Sequence, residues 1–585
     1  MIWDQTKLEP YQESAGRALT EYDDIFPSPV YIPLKCELFS ALLVKAADLF
    51  IESKPVTSKN NLKVKPSPQL HSAWQYLQKT FNIWKNTGKI KNSNEFSQYK
   101  RARSSFQRRH RQESDFKNIK ENNLIMNADH ENKNEFFHHI KRTRNTKHDL
   151  PVTALNTPAG TFYGSDTLEG FAVDAEILGK FIGETQEYDN DFYRLCILDN
   201  HYIFEFKGED SIKIPKMNID DLEKILNKEM KLGKACDIYK LSVEHLRYAG
   251  LKSKLIILKL LNQIIDNIYY LTCPQIKKGL STAVYKGKKK PISESSSYRR
   301  ITVTPQIGGI LDRYIDPIAE SLFLKEQSPD QLGFTKGISY LLGAVLRVEC
   351  QRWALDTKKT CFLVTFDGKA AFPSVDRDIQ VRELYTCGED GDLLQYSRNT
   401  YKNTVSHMKQ NNKLSREFTE WKGSRQGHKR AAGHFKSYIN PCLTATDSSE
   451  LGFWIGPICV TSFCIADDTY VLSGDPRKLQ DIINIVGHYG KRYRLIFGAD
   501  KTKVTITGSK QDMKYYKEIL LWSLYGQKLV VADDNEHLGL IVSGTDEEIK
   551  NIDKNIESAR KTMFSLLGKA LSYRCKLSPL VQYHI

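Results

Sequence analysis

Two apolar runs about a hundred residues apart both close on aspartate, and no other feature constrains the fold as much. The first, CFLVTFD (361–367), is short and nearly continuous, which predicts a buried strand ending at Asp367. The second, VTSFCIADDTYVLSG (460–474), sets Ala466, Asp467 and Asp468 between two apolar halves. That pattern predicts a β-hairpin with both carboxylates at its tip. An Asp-Asp pair alone is an ordinary turn dipeptide; the flanking runs and the upstream Asp367 give it weight. If the first strand lies beside the hairpin tip, three carboxylates meet at one point, which is unfavourable unless cations bind there. Hard divalent ions suit such a site, and Mg²⁺ takes one or two carboxylates together with substrate phosphates. Two ions about 3.5–4 Å apart can clamp the attacking and leaving oxygens of an in-line phosphoryl displacement. Asp367, Asp467 and Asp468 are therefore the expected metal ligands, for two Mg²⁺ ions with Mn²⁺ as the alternative.

Composition narrows the partners. Lys and Arg number 85 against 70 for Asp and Glu, a formal charge of +15 that favours a polyanionic partner. At roughly 150 residues per domain the chain suggests three or four units, and 40% hydrophobic residues are enough for a sizeable core. Collagen-like, mucin-like and wholly disordered readings are excluded. The 11 cysteines include no C-x-x-C, so neither a disulfide framework nor a zinc module is expected. A reducing compartment follows: intracellular, nucleus or cytoplasm, and not secreted. The opening MIWDQTKLEP has no signal-peptide pattern. The most apolar stretch (253–273) carries Lys259 and Asp266 and reads as a buried or amphipathic helix, so no membrane partner is expected. G-x-S-x-G, H-E-x-x-H, G-x-x-x-x-G-K-[ST] and G-x-G-x-x-G are all missing.

Along the chain, residues 1–150 read as a mainly α-helical basic extension. Residues 85–150 hold 16 Lys and Arg against 8 Asp and Glu, densest in KRARSSFQRRHRQ (100–112). If that stretch is helical, Arg101, Arg108 and Arg111 share roughly one face, with Arg103 and Arg109 around the side. Two readings stay open: a surface that tracks backbone phosphates, with Tyr99 and Phe106 to stack on bases, or a solvated linker. Residues 151–250 form an α/β lead-in, and from 275 to 545 the pattern is mixed α/β.

Seven motifs then fall in the order and spacing found in reverse transcriptases. FDGKAAFPSV (366–375), GSRQGHKRAAGHFKSYINPCL (423–443), IADD (465–468), FGADKTKVTITG (497–508) and HLGLIVSG (537–544) resemble palm motifs A to E. VYKGKKKPISESSSYRRITVTPQIGGILDRYI (284–315) and QLGFTKGIS (331–339) resemble the fingers motifs. GKACDIYKLSVEHL (233–246) resembles the lead-in of non-LTR (LINE-type) retrotransposon enzymes. The resemblance implies an α+β right-hand polymerase with an antiparallel palm sheet: fingers at 251–345, palm at 346–545 and the start of a truncated thumb at 546–585. It implies an RNA-directed DNA polymerase that takes an RNA template, a DNA primer and deoxynucleoside triphosphates. A fragment lacking the endonuclease and most of the thumb is expected.

The resemblance also implies residue roles. Asp367 and Asp467 are the shared metal ligands and Asp468 an auxiliary one. Phe372 is the ring beneath the sugar that excludes a 2′-hydroxyl. Gln426 and Gly427 position template or nucleotide, and Lys501 is a general acid for the pyrophosphate leaving group. Arg299 and Lys286 neutralise the triphosphate, with Lys288, Lys289 and Lys290 as alternatives to Lys286. Ile465 replaces the aromatic usual before Ala-Asp-Asp, Pro373 a second Asp, Ala431-Ala432 a Ser-Pro, and Arg300 a Pro; no metal ligand is lost. Two rivals remain. One is an RNA-binding remnant with weak or no turnover; the other, an RNA-dependent RNA polymerase, is disfavoured by Phe372.

Overall fold

Tyr11, Ala15 and Leu19 recur at helical spacing, and the computed structural model buries all three on one face of α1 (Leu8–Ile25). It describes residues 3–51, 67–131, 152–181, 188–206, 212–287, 290–339, 341–368, 370–410, 413–425, 427–537 and 540–570. The chain divides into two compact units. One comprises residues 1–54 and 152–547, the other residues 55–151 and 548–585. In the first, α1 is followed by α2 (Ile32–Phe50), which buries Cys36, Phe39, Leu43 and Ala47.

The second unit contains a helical hairpin. Ser67 caps α3 (Pro68–Asn86) by accepting from the amide of Leu70 at 3.1 Å. After a turn the chain returns as α4 (Asn94–Glu131). An aromatic cluster staples the two: Trp84 stacks on Tyr99 with ring centroids 5.1 Å apart, and Phe81 and Phe96 close around them. Residues 548–570 of this unit belong to a helix, Glu547–Ala570.

In the first unit α5 (Thr167–Phe181) and α6 (Asn190–Phe206) precede an irregular lead-in. Asp237 organises that lead-in. Its carboxylate accepts from the amides of Tyr239, Leu241 and Gln306 at 2.9–3.0 Å, and burial pushes its pKa up to about 6. Helix α7 (Gly250–Asp266) buries Ile257, Leu260, Leu261 and Ile264. These join α1 and α2 in one core, where Tyr11 Oη donates to His245 O at 2.6 Å. The expected helix at 253–273 is thus a buried amphipathic one, followed by a 3₁₀ turn. No helix among the described residues is long and apolar enough to cross a membrane.

Beyond this core, two sheets carry the motifs. Strands β1 (Gly279–Tyr285) and β2 (Tyr298–Val303) pair antiparallel and lead into α8 (Gln306–Glu326) and α9 (Leu341–Asp356). The run at 361–367 is β3 (Cys361–Asp367), followed by α10 (Arg377–Thr386) and α11 (Gly391–Tyr401). Strands β4 (Val405–Gln410) and β5 (Lys413–Thr419) complete a four-stranded sheet in the order β2-β1-β4-β5, with β1 and β4 parallel. Next come α12 (Ala431–Asp447), the hairpin β6 (Ser462–Ile465) and β7 (Asp468–Ser473), and α13 (Pro476–Arg492). Strands β8 (Lys503–Thr507) and β9 (Val530–Val531) finish a five-stranded sheet ordered β6-β7-β3-β8-β9. All its pairings are antiparallel except β8 with β9.

Central β3 explains its own composition. Residues 361–366 are all buried, because both faces are covered. Phe362, Val364 and Phe366 face the core beneath α12 and α13, and Cys361 and Leu363 face α9. Each such side chain contributes about 1.5–3 kcal/mol of burial, so the strand that ends in Asp367 is among the most firmly held in the unit.

Candidate active site

The sheet register brings two of the expected carboxylates face to face. Asp367 ends β3 and Asp468 begins β7, and they are direct partners across that antiparallel pair. Ile465 pairs with Asp468, so Ala466 and Asp467 form a two-residue turn. Ala466 takes the left-handed conformation there, with φ at 64°. The hairpin with acids at its tip is as the sequence predicts. The convergence of three carboxylates on one point is not: among the described residues no group of three or more His, Cys, Asp or Glu stands ready to hold a metal. The Asp367 carboxylate instead accepts from Lys501 Nζ at 2.8 Å. Like charges opposed across strands repel, and this lysine relieves that repulsion. Lys501 is set in a tight turn, where Gly498 O accepts from the amides of Lys501 and Thr502, and Gly498 N donates to Asp367 O at 3.1 Å.

Cations gather beside Asp367. Lys286 follows β1 and its Nζ donates to Ser296 O at 2.7 Å. Burial and the neighbouring Lys290, Arg299 and Lys501 hold its pKa below the ordinary lysine value, with Asp367 pulling the other way. Arg299 lies on the exposed face of β2, opposite Val284. The adjacent Arg300 points to the covered face, near Asp174 and Glu420. Of the alternatives, Lys290 is exposed and near Lys286, while Lys288 and Lys289 lie outside the described residues.

Phe372 is half-buried and stacked on Phe435, with centroids 4.8 Å apart and planes 20° from parallel; Phe334 meets it edge-on at 6.3 Å. Gln426 lies outside the described residues. Gly427 has φ of 112°, and a Cβ there would come 2.5 Å from Thr302 O. The backbone that approaches Gly427 is thus β2. Gly423 likewise lies against Pro373, and Ser424 N donates to Phe372 O at 2.8 Å. These contacts tie the loop before α12 to the segment that carries Phe372.

Several supporting residues escaped the sequence reading. The segment 330–333 runs alongside β6: Cys464 N donates to Asp330 O at 2.9 Å, and Leu332 N donates to Cys464 O at 2.9 Å. A Cβ on Gly333 would lie 2.1 Å from Ala466 N, so only glycine allows this segment to brace the acidic turn. Gly343 of α9 plays the same part for Ile465, whose side chain a Cβ would meet at 2.8 Å. Ile465 is thus packed by a close-approach glycine. The L-G-F of 332–334 was the available signal. Beneath the α12 entry, His428 Nε2 lies 2.8 Å from Asp312 Oδ2, and Arg430 is 2.6 Å from Glu389, all four buried. Charged residues in helices and loops alike carry no sequence mark of such pairing.

In the second unit, Arg101, Arg103, Arg108, Arg109 and Arg111 are all exposed on α4, while Ala102 is buried. Their segment is a helix. Tyr99 is half-buried and stacks one face on Trp84, and Phe106 is half-buried beside His110.

The family described as reverse transcriptase (RNA-dependent DNA polymerase) matches residues 287–542. No curated protein matches the chain. The matched stretch contains Arg299, Asp367, Phe372, Asp467, Asp468 and Lys501, and begins one residue after Lys286. Residues 287–542 are a reverse transcriptase domain, and the activity of that domain is RNA-directed DNA polymerase, a nucleotidyltransferase.

Proposed function

We propose that this reverse transcriptase domain is an active right-hand polymerase of a non-LTR retroelement, working with two divalent cations held by Asp367, Asp467 and Asp468. The in-register pair Asp367–Asp468, with Asp467 one residue away in the turn, is the observation that carries this reading. The donors fit the ion: hard carboxylate oxygens, two opposed and one adjacent, match Mg²⁺ completed by substrate phosphates, with Mn²⁺ as the alternative. When bound, the cations supply charge neutralisation at the attacking and leaving oxygens.

The remaining work falls to the chain's own side chains. Arg299 and Lys286 bind the triphosphate of an incoming deoxynucleotide, the guanidinium as a fork and the ammonium as a point charge. Phe372, held flat by Phe435, leaves no room for a 2′-hydroxyl. The primer 3′-oxygen bonds to the α-phosphorus, its proton passing to solvent, and the bond from α-phosphorus to the bridging oxygen breaks. Lys501 releases Asp367 and gives a proton to the departing pyrophosphate. Gly427, with Gln426, positions the template base or incoming nucleotide. The five arginines of α4 hold RNA phosphates. Catalysis of this kind is mostly positioning and charge stabilisation.

Primer extension on an RNA template with Mg²⁺ tests the reading. Asp467→Asn is expected to abolish extension with RNA affinity nearly intact. Extension near the parent level by that variant overturns the assignment, and no extension by the parent chain returns it to an RNA-binding remnant.

A further inference from the structure

The loop before α12 crosses the corner where β2 gives way to α8. At Gly427 its backbone lies against Thr302 O of β2, three residues along that strand from Arg299. Where the loop sits on β2 therefore sets how Gly427 stands to Arg299. We infer that His428, tied to Asp312 of α8, is the positioning residue that fixes this loop for the incoming nucleotide. The inference rests on the polymerase reading above and gives a buried pair a part in it.

The loop's other cations are anchored elsewhere. Arg425, upstream, is 2.6 Å from Glu420 and donates to Val405 O at 3.0 Å. Arg430, downstream, is 2.6 Å from Glu389. Between them Lys429 reaches Asp316 at 2.6 Å, but its side chain is 44% exposed, and such a pair holds weakly. The firm tie within the turn is His428. Its Nε2 lies 2.8 Å from Asp312 Oδ2, with both side chains 5% exposed. Asp312 and Asp316 are four apart on α8, so one face of that helix meets the loop. Burial pushes the Asp312 pKa up, but the adjacent His428, its hydrogen bond and that of Tyr396 outweigh burial and hold the carboxyl below its ordinary value. The acceptor is thus ionised, and its hydrogen bonds are roughly twice as strong as those between neutral groups. His428 Nδ1 has no hydrogen-bond partner among the described residues, so the ring grips through one nitrogen. The same carboxylate has a second bond that leaves the loop out: Tyr396 Oη of α11 donates to Oδ1 at 2.8 Å. One oxygen therefore joins α8 to α11 and the other joins α8 to the loop, so the two ties can be cut separately.

Two measurements on the full chain test this: extension kinetics at varied deoxynucleotide, and amide hydrogen exchange across residues 424–430 without substrate. His428→Leu, which keeps bulk and removes the donor, is expected to raise KM for the deoxynucleotide by about ten- to a hundredfold with little change in kcat, and to speed exchange of the loop. His428→Gln, whose amide can donate to Asp312 in place of the ring, is expected to restore most of both. Tyr396→Phe is expected to lower thermal stability while KM and loop exchange keep their parent values. If His428→Leu does not fold, because Asp312 is left short of a partner, Asp312→Asn/His428→Leu removes the buried charge as well and should show the same raised KM. Parent-like KM and exchange in the folded variant overturn the inference. So does an equal rise in KM with Tyr396→Phe, which would make the carboxylate a packing element, or a His428→Gln as impaired as His428→Leu, which would make the ring's bulk the cause. A parent chain that does not extend loses the polymerase reading, and the exchange measurement then still decides whether His428 holds the loop.

Discussion

Lys501 Nζ stands 2.8 Å from Asp367 Oδ2, so the proposed general acid and a proposed metal ligand are joined before any substrate arrives. The pair is half-exposed, so the contact itself is weak and readily exchanged. If Asp367 holds a cation as proposed, that cation and the lysine compete for one carboxylate. Lys501→Ala is expected to slow the chemical step by about a hundredfold, the usual scale of a lost acid. It should also lower the Mg²⁺ concentration needed to protect the chain in thermal unfolding. Rapid-quench kinetics and melting curves read these separately. A variant with the parent rate removes Lys501 from catalysis.

Gly333→Ala is expected to destabilise the first unit by about 1–3 kcal/mol, because its Cβ has no room beside Ala466 N and the segment must shift. Extension should fall further than stability accounts for, since what shifts is the turn carrying Asp467. Chemical denaturation and extension on the folded fraction are the measurements. Parent-like extension would show that the turn holds its place without the 330–333 segment.

Phe372→Val should raise ribonucleotide use relative to deoxyribonucleotide. Loss of the Phe435 stack should cost about 1 kcal/mol in addition to the lost burial. Competitive incorporation assays give the ratio. An unchanged ratio means that another group discriminates the sugar.

Changing Arg101, Arg103, Arg108, Arg109 and Arg111 to Gln should flatten the dependence of log RNA affinity on log salt by roughly two to three units, at about 0.7 per phosphate released on a single strand. The effect should be alike for unrelated RNA sequences. Arg109 lies nearly on the side that buries Ala102 and donates to Gln69 O at 3.5 Å, so the other four should carry most of it. An unchanged slope leaves α4 as a solvated helix.

Local pattern made some of this legible in the sequence and left the rest hidden. Strand β3 and the β6–β7 hairpin were readable because a doubly covered strand must be apolar throughout and a hairpin must break its apolar run at the turn. The opposition of Asp367 and Asp468 follows from register, which nothing in either strand alone specifies. The link from Lys501 to Asp367 is a contact between distant segments, invisible to spacing. Gly427 was readable as a close-approach glycine but not for what approaches it, Thr302. The stack of Tyr99 on Trp84 was hidden, because an aromatic in a basic stretch looks the same whether or not another ring lies against it.

The shared core of α1, α2, α7 and α8 sets a limit of its own. Tyr11, Phe39, Leu261 and Ile310 belong to one continuous apolar cluster, joined by residues as far along the chain as Tyr396. A piece trimmed to the recognisable residues 287–542 would keep Ile310 and Tyr396 but lose the surfaces they were built against. It would carry a bare greasy wall where α1, α2 and α7 had been, and would clump before it could be assayed. In this chain the part that can be recognised is smaller than the part that can stand by itself.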